Sequence, residues 1–341
     1  MAPSRTRLAL VGYGMAGRLF HRPHVLAAGL TVSLVATADP GRADQARADL
    51  PEAQIVPDLD AVLQARPDAV VLASPTGVHA SQAVACVRAG IPVIVDKPLG
   101  VDAATARQAV LEADRAGVPL TVFQNRRWDA DQLTLAALLQ AGTLGDPVRV
   151  ERRYERWRPT PRQGWRGERP ASEGGGLLLD LSVHQIDQVI QLFGPVTSVY
   201  AELEARGTVA EDEVFLSLRH ASGMRSHLGV GVLAAGPGPH LRVLGREATY
   251  LVANLPDDLR AFTAPADEPG FTGWLVRGAD AEPVPTAPGS QTDFYRLVPG
   301  WLAGGAPPVD PWDAVRVLAV IDAARVSHRE GRPVTLEPQV P

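Results

Sequence analysis

Among the 33 basic residues of this 341-residue chain, only Lys97 is a lysine; the other 32 are arginines. Arginine replaces lysine cheaply on a solvated surface. It fails where a compact, tunable ammonium is needed. A lone lysine is therefore a candidate for chemistry, and the motif around it, Asp96-Lys97-Pro98, follows an apolar strand. A second constellation lies in SEGGGLLLDLSVHQIDQVIQLFG, residues 172–194. Asp180 and His184 stand four apart, so one face of a helix would carry a carboxylate beside an imidazole. Such a pair suits proton transfer or the anchoring of a polyol. No third metal ligand is evident near it, so no metal is expected.

The third constellation is Gly12-Tyr13-Gly14-Met15-Ala16-Gly17, placed between a short apolar run, Leu8–Val11, and a helical stretch. In a strand–turn–helix, the first glycine makes the tight turn. The second lets backbone approach a pyrophosphate, and the third lets helix and strand pack. The helix start supplies N–H groups and a positive dipole end to phosphate. Asp39 follows the next strand and could accept bonds from adenosine ribose hydroxyls. A carboxylate there repels a 2′-phosphate and favours NAD, while Arg42 could embrace that phosphate and keeps NADP open. Ser74-Pro75-Thr76, with His79 just beyond, follows another strand.

These groups need a frame that brings strand ends together. Apolar, β-branched runs at 31–38, 69–73, 92–95 and 119–123 alternate with Ala-rich helical stretches, several ending in glycine, as at Gly90 and Gly117. Near-continuous apolar strands alternating with helices predict a parallel sheet covered on both faces. Ligands then bind at the strands' C-terminal ends. The alternation stops near residues 144–147. Strand-like runs follow, interrupted by one helix over 177–193, and predict a second domain on an open, mainly antiparallel sheet. Residues 256–291 read as long loops, and 312–330 as a final helix. The resulting fold class is α/β, with domains at 1–124 and 125–341; the final helix could pack back on the first. Val214, Leu216, Leu218, Leu228, Val230 and Val232 read as apolar residues on both faces of the second sheet. A face without helices must be covered, so a homodimer or homotetramer is expected.

Composition narrows the function classes. A formal net charge of −5 argues against a nucleic-acid surface, although arginines cluster with tryptophans at 126–128 and 152–166. No apolar run is long enough to span a bilayer. The single cysteine, Cys86, excludes an intramolecular disulfide and fits a cytoplasmic location.

GYGMAG, SPTGVH, DKP, NRRWD and GGGLLLDLSVHQIDQVIQLFG, in this order and spacing, resemble the glucose–fructose oxidoreductase/inositol dehydrogenase (Gfo/Idh/MocA) family over nearly the whole chain. The DKP and NRRWD variants are similar to the branch of NADP-dependent scyllo-inositol dehydrogenases. The resemblance implies an N-terminal Rossmann domain and hydride transfer between a nicotinamide and a secondary alcohol or ketone of a sugar or cyclic polyol. It places Lys97, Asp180 and His184 at catalytic positions. It places Gly12, Tyr13, Gly14, Met15, Ala16, Gly17, Asp39, Arg42, Ser74, Pro75, Thr76, His79, Lys97 and Pro98 on the cofactor side. Asn125, Trp165 and Arg166 match further cofactor or substrate positions. A non-catalytic NAD(P)-binding regulator of the same fold is the alternative, because fold alone does not secure chemistry.

Overall fold

The computed structural model describes residues 6–158, 160, 165–236, 238–253 and 270–337. The chain divides into two compact units. One comprises Met1–Asn125 with Gln291–Val315, the other Arg126–Ser290 with Arg316–Pro341. The first division falls one residue from the boundary read in the sequence, and 291–315 groups with the first unit rather than the second.

In the first unit, six strands form one parallel sheet in the order β3-β2-β1-β4-β5-β6. They are β1 Arg7–Val11, β2 Thr31–Ala36, β3 Gln54–Val56, β4 Ala69–Leu72, β5 Val93–Asp96 and β6 Leu120–Phe123. Leu8, Leu10, Val70, Leu72, Ile94 and Val95 are all buried, as befits strands covered on both faces. Helices start where short carboxylates can cap them. Asp39, Asp58 and Asp102 accept bonds from the backbone N–H groups of Arg42, Ala61 and Thr105. Gly117, with φ of 61°, closes the helix Ala103–Ala116 in the left-handed conformation. Strand order reverses between β1 and β4, and there the loops after the two strands meet. A methyl on Gly12 would lie 2.6 Å from the Ala73 carbonyl oxygen. The helix Thr292–Leu302 completes this core, its Phe294 and Tyr295 rings packing on Phe123.

The second unit is a nine-stranded sheet, ordered β14-β13-β12-β11-β7-β10-β9-β8-β15. Its strands are β7 Pro147–Glu155, β8 Val196–Glu204, β9 Glu213–His220, β10 Arg225–Gly231, β11 Leu241–Gly245, β12 Thr249–Val252, β13 Phe271–Arg277, β14 Asp280–Pro285 and β15 Val334–Thr335. Among its described residues, only β7 and β10 pair in parallel. Two expectations need correction here. First, β13 and β14 form a hairpin within the stretch read as loops; its residues 256–269 lie outside the described residues. Second, the apolar residues do not occupy both sheet faces. Val214 pairs with Val230 and Leu216 with Leu228, and these four with Leu218 are buried on one face. Their spacing of two puts them together, while Val232 lies beyond the end of β10. The alternate positions carry Phe215, Ser217 and His227, with Arg149, Arg153 and Arg242 around Glu151.

The helix Val183–Phe193 is fixed to its own unit by buried polar side chains. Gln185 donates to the carbonyls of Arg152 and Gly229, and Gln188 to that of Arg126. Arg127 grips Asp187 through two bonds of 2.8 and 2.6 Å. Nearby, the fully buried Arg152 donates to Asp131, Gln132 and Gln188. Burial opposes ionisation of Asp131, but Arg152, His240 and Arg126 outweigh it and hold the carboxyl well below the usual carboxylate range.

Candidate functional site

The glycine turn after β1 separates structural need from ligand need. A methyl on Gly17 would lie 2.1 Å from the Gly12 carbonyl oxygen, and Gly12 has a φ of +94°. Both positions require glycine for the fold itself. Gly14 does not: a methyl there would meet only the Arg42 guanidinium, at 3.8 Å. No neighbour among the described residues demands that glycine, and a bound pyrophosphate would. The helical segment that follows begins with a π-turn, Ala16–His21, whose N-terminus has no side-chain cap. The Arg18 N–H already bonds the Gly14 carbonyl at 2.9 Å, which leaves the N–H groups of Ala16 and Gly17 to meet an anion.

Tyr13, Gly14, Met15, Asp39 and Arg42 line one open groove, together with Arg18, Leu19, Gly41 and Gln45. Asp39 is exposed, and its Oδ1 accepts the Arg42 backbone N–H at 2.9 Å, so it caps a helix as well as facing the groove. Tyr13 is 1% exposed and donates to Asp49 at 3.0 Å. Burial and that bond push its hydroxyl pKa up to about 12. Asp49 also takes Arg18 at 2.7 Å and Arg22 at 3.0 Å, which lower its own pKa. Tyr13 and Arg18 therefore brace the groove wall, while Met15 is exposed.

Farther along the same rim, the loops after β4 and β5 are joined by one side chain. His79 places Nε2 at 2.8 Å from the Ser74 carbonyl and Nδ1 at 2.7 Å from the Pro98 carbonyl. Ser74 bonds Gln82; Pro75 is exposed and Thr76 buried. Lys97 is half-buried, its backbone N–H bonded to Asp96 Oδ1 at 2.9 Å. Asp96 faces His21 at 3.7 Å, and His21 in turn bonds the Tyr295 hydroxyl at 2.6 Å. Burial works against the Asp96 charge, but His21, Lys97 and His79 keep its pKa below the ordinary value. Tyr295 is pushed up by burial and by Asp96. Sequence reasoning missed Asp96, His21 and Tyr295; only the place of Asp96 beside Lys97 signalled it. It also missed Gln124, a 1% exposed residue one position beyond β6 whose amide oxygen and nitrogen have no hydrogen-bond partner among the described residues. Asn125 bonds Gln291 at 2.7 Å.

In the second unit, Asp180 lies in a π-turn, Leu178–Ser182, and His184 in the first turn of the α-helix behind it. Single π-turns inside helices recur at functional sites. Gly176 has a φ of +90°, and a methyl there would collide with the Glu211 carboxylate. Glu211 accepts the Leu178 N–H, which ties down the start of this helix. Asp180 lines a pocket with Leu177, Leu181, Arg156, Arg158 and Arg206. His184 is 5% exposed. Trp165 and Arg166 begin a short helix, Trp165–Glu168, and their side chains lie outside the described residues. Arg126 and Arg127 of the NRRWD stretch have structural partners: Arg126 pairs with Asp129 and lies over the Tyr154 ring, and Arg127 holds Asp187. Among the described residues, no group of three or more His, Cys, Asp or Glu could hold a metal ion. No helix among them is long and apolar enough to cross a membrane.

Residues 6–124 match the model of an oxidoreductase family with an NAD-binding Rossmann fold, and 133–251 match the GFO/IDH/MocA C-terminal domain. The scyllo-inositol 2-dehydrogenase (NADP(+)) IolW of Bacillus subtilis is 31% identical, over 97% of this chain and 96% of its own. D-apiose dehydrogenase of Paraburkholderia graminis is 28% identical, over 98% and 90%. The structure of the Bacillus subtilis oxidoreductase YvaA superposes with a TM-score of 0.87 at 30% identity, covering 98% of this chain and 99% of that one. The WlbA dehydrogenase of Bordetella pertussis, solved with NADH and UDP-GlcNAcA, gives 0.79 at 26% identity, covering 98% and 100%.

Proposed function

The chain belongs to the Gfo/Idh/MocA family of NAD-binding oxidoreductases, and from that premise we propose that it interconverts a secondary alcohol and a ketone on a sugar or cyclic polyol. The observation that carries the reading is Gly14: the fold leaves its methyl position open, on a turn whose other two glycines the fold itself requires.

A bound nicotinamide dinucleotide supplies the hydride acceptor at carbon. The pyrophosphate would rest on the Gly12–Gly17 turn. Arg42 lies over Gly14, and the exposed Asp39 carboxylate lines the same groove, where it would accept bonds from ribose hydroxyls. This arrangement favours NAD over NADP. In the alcohol-to-ketone direction, the imidazole of His184 takes the hydroxyl proton. Asp180 orients that imidazole or the substrate. Lys97 Nζ donates to the reacting oxygen and offsets its developing negative charge. In the reverse direction, the same groups return the proton.

The test is a panel of inositols, polyols and aldoses assayed with NAD and with NADP by absorbance of the reduced nicotinamide. At least one polyol should reduce NAD. Tight nucleotide binding with no turnover across the panel would leave a binding protein in place of an enzyme.

A further inference from the structure

The His79 ring is 1% exposed, and each of its nitrogens lies within hydrogen-bond distance of a backbone carbonyl oxygen: Ser74 at 2.8 Å and Pro98 at 2.7 Å. A carbonyl oxygen can only accept. A neutral imidazole has one N–H and one bare lone pair. In the neutral ring, one of these two contacts would set lone pair against lone pair within a buried site. Only the imidazolium, with two N–H groups, satisfies both.

We propose that His79 is held as an imidazolium that ties the loop after β4 to the loop after β5, and so positions the rim that carries Lys97. His79 is then a positioning residue. It touches backbone on both sides and acts through Ser74-Pro75-Thr76 and Lys97-Pro98. Its counter-charge is Asp96, at the end of β5. The other titratable groups facing this cluster are Lys97 from the same loop and His21 from the helix Ala16–His21; Tyr295, from the helix Thr292–Leu302, bonds to His21. Burial, the largest cause, together with His21 pulls the His79 pKa below the ordinary imidazole value, while Asp96 and the two carbonyls act against that pull. The hydrogen-bond geometry decides in favour of the second proton, because losing it breaks a buried bond as well as discharging the ring. The bridge is intact below the pKa of His79 in the folded protein and opens as pH rises through it.

The decisive measurement is ¹⁵N NMR of the histidine rings in the nucleotide-free protein at pH 7. Signals are assigned by their loss in His79→Gln. Both ring nitrogens of His79 should carry protons. One protonated and one bare nitrogen would overturn the proposal, and this readout does not depend on any substrate. Should His79→Gln not fold, the wild-type ring signals can be assigned through contacts to Ser74 and Pro98. The second readout rests on the nucleotide-binding reading above. NAD affinity of the wild type should weaken roughly tenfold, the scale of one buried hydrogen bond, as pH rises through the His79 titration. A folded His79→Gln protein should bind about tenfold more weakly at pH 7 and lose that pH dependence. Absence of NAD binding at every pH would count against the nucleotide reading, while a doubly protonated His79 would still stand.

Discussion

Replacing each of the turn glycines by alanine should separate folding from nucleotide binding. At Gly17, the added methyl would sit 2.1 Å from the Gly12 carbonyl oxygen. Ordinary carbon–oxygen contacts are about 3.3 Å or longer. The backbone must therefore shift by roughly 1 Å in a packed turn, at a cost of about 1–3 kcal/mol or more. At Gly14, the methyl meets nothing nearer than the Arg42 guanidinium at 3.8 Å, and φ is outside the left-handed region. Gly14→Ala should leave the thermal midpoint unchanged or raise it, because alanine restricts the unfolded chain by about 0.4–1 kcal/mol. The same methyl occupies the line of approach of a pyrophosphate. One methyl of overlap at about 1–3 kcal/mol corresponds to a loss of roughly 5- to 150-fold in Kd. The assay pairs calorimetric unfolding of both variants with fluorescence titration of NADH and NADPH. Gly14→Ala should be stable and binding-deficient, and Gly17→Ala destabilised. A Gly14→Ala protein that binds like wild type, or melts as early as Gly17→Ala, would refute the reading of this turn.

Asp39→Ser should weaken NAD more than NADP, by about 1.5–3 kcal/mol or roughly ten- to a hundredfold in Kd, the scale of a hydrogen bond to a charged group; equal losses would mean that Asp39 does not meet the ribose. Lys97→Arg should cut turnover about a hundredfold with little change in nucleotide affinity, since a planar fork cannot replace an ammonium at the reacting oxygen; steady-state kinetics on the best substrate decides. Arg127→Met breaks the buried ion pair with Asp187, whose side chain is 2% exposed, and should cost about 3–5 kcal/mol, read as a lowered thermal midpoint. The depressed pKa of Asp131 contributes stability that is present above the ordinary carboxylate range and lost as pH falls through it, so Asp131→Asn should flatten the decline of stability below about pH 5. With arginines and Glu151 on the sheet face away from its helices, a homo-oligomer formed there should dissociate at high salt, and a monomer at micromolar concentration in low salt would argue against it.

The first unit was legible because its signals are local. Apolar runs of four to eight residues, aspartate caps and terminal glycines each act within one element, and they predict the parallel sheet and its binding rim. The hairpin β13–β14 was hidden by Gly273, Gly278, Pro283 and Pro285, which read as loop breakers. In the fold, Gly278 supplies the positive φ of a tight turn and the prolines lie on the strand at the sheet edge. The π-turn at Leu178–Ser182 was equally invisible, since helix periodicity cannot resolve one extra residue in a turn. Arg127 drew attention as part of a basic, aromatic motif, but its partner, Asp187, lies 60 residues away. His79 has the same character. Its type marked it for function, while its partners are two carbonyls that no side-chain pattern announces.

Hydride transfer itself can be followed with the best polyol of the substrate panel, carrying deuterium on the carbon of the reacting hydroxyl. The products are examined by mass spectrometry and NMR. Deuterium should pass directly to the nicotinamide ring of the reduced dinucleotide, with the ketone as the second product, and Lys97→Arg should slow that transfer. Deuterium released to water, or a substrate altered with no reduced nucleotide formed, would show that this family member does not work as an alcohol dehydrogenase.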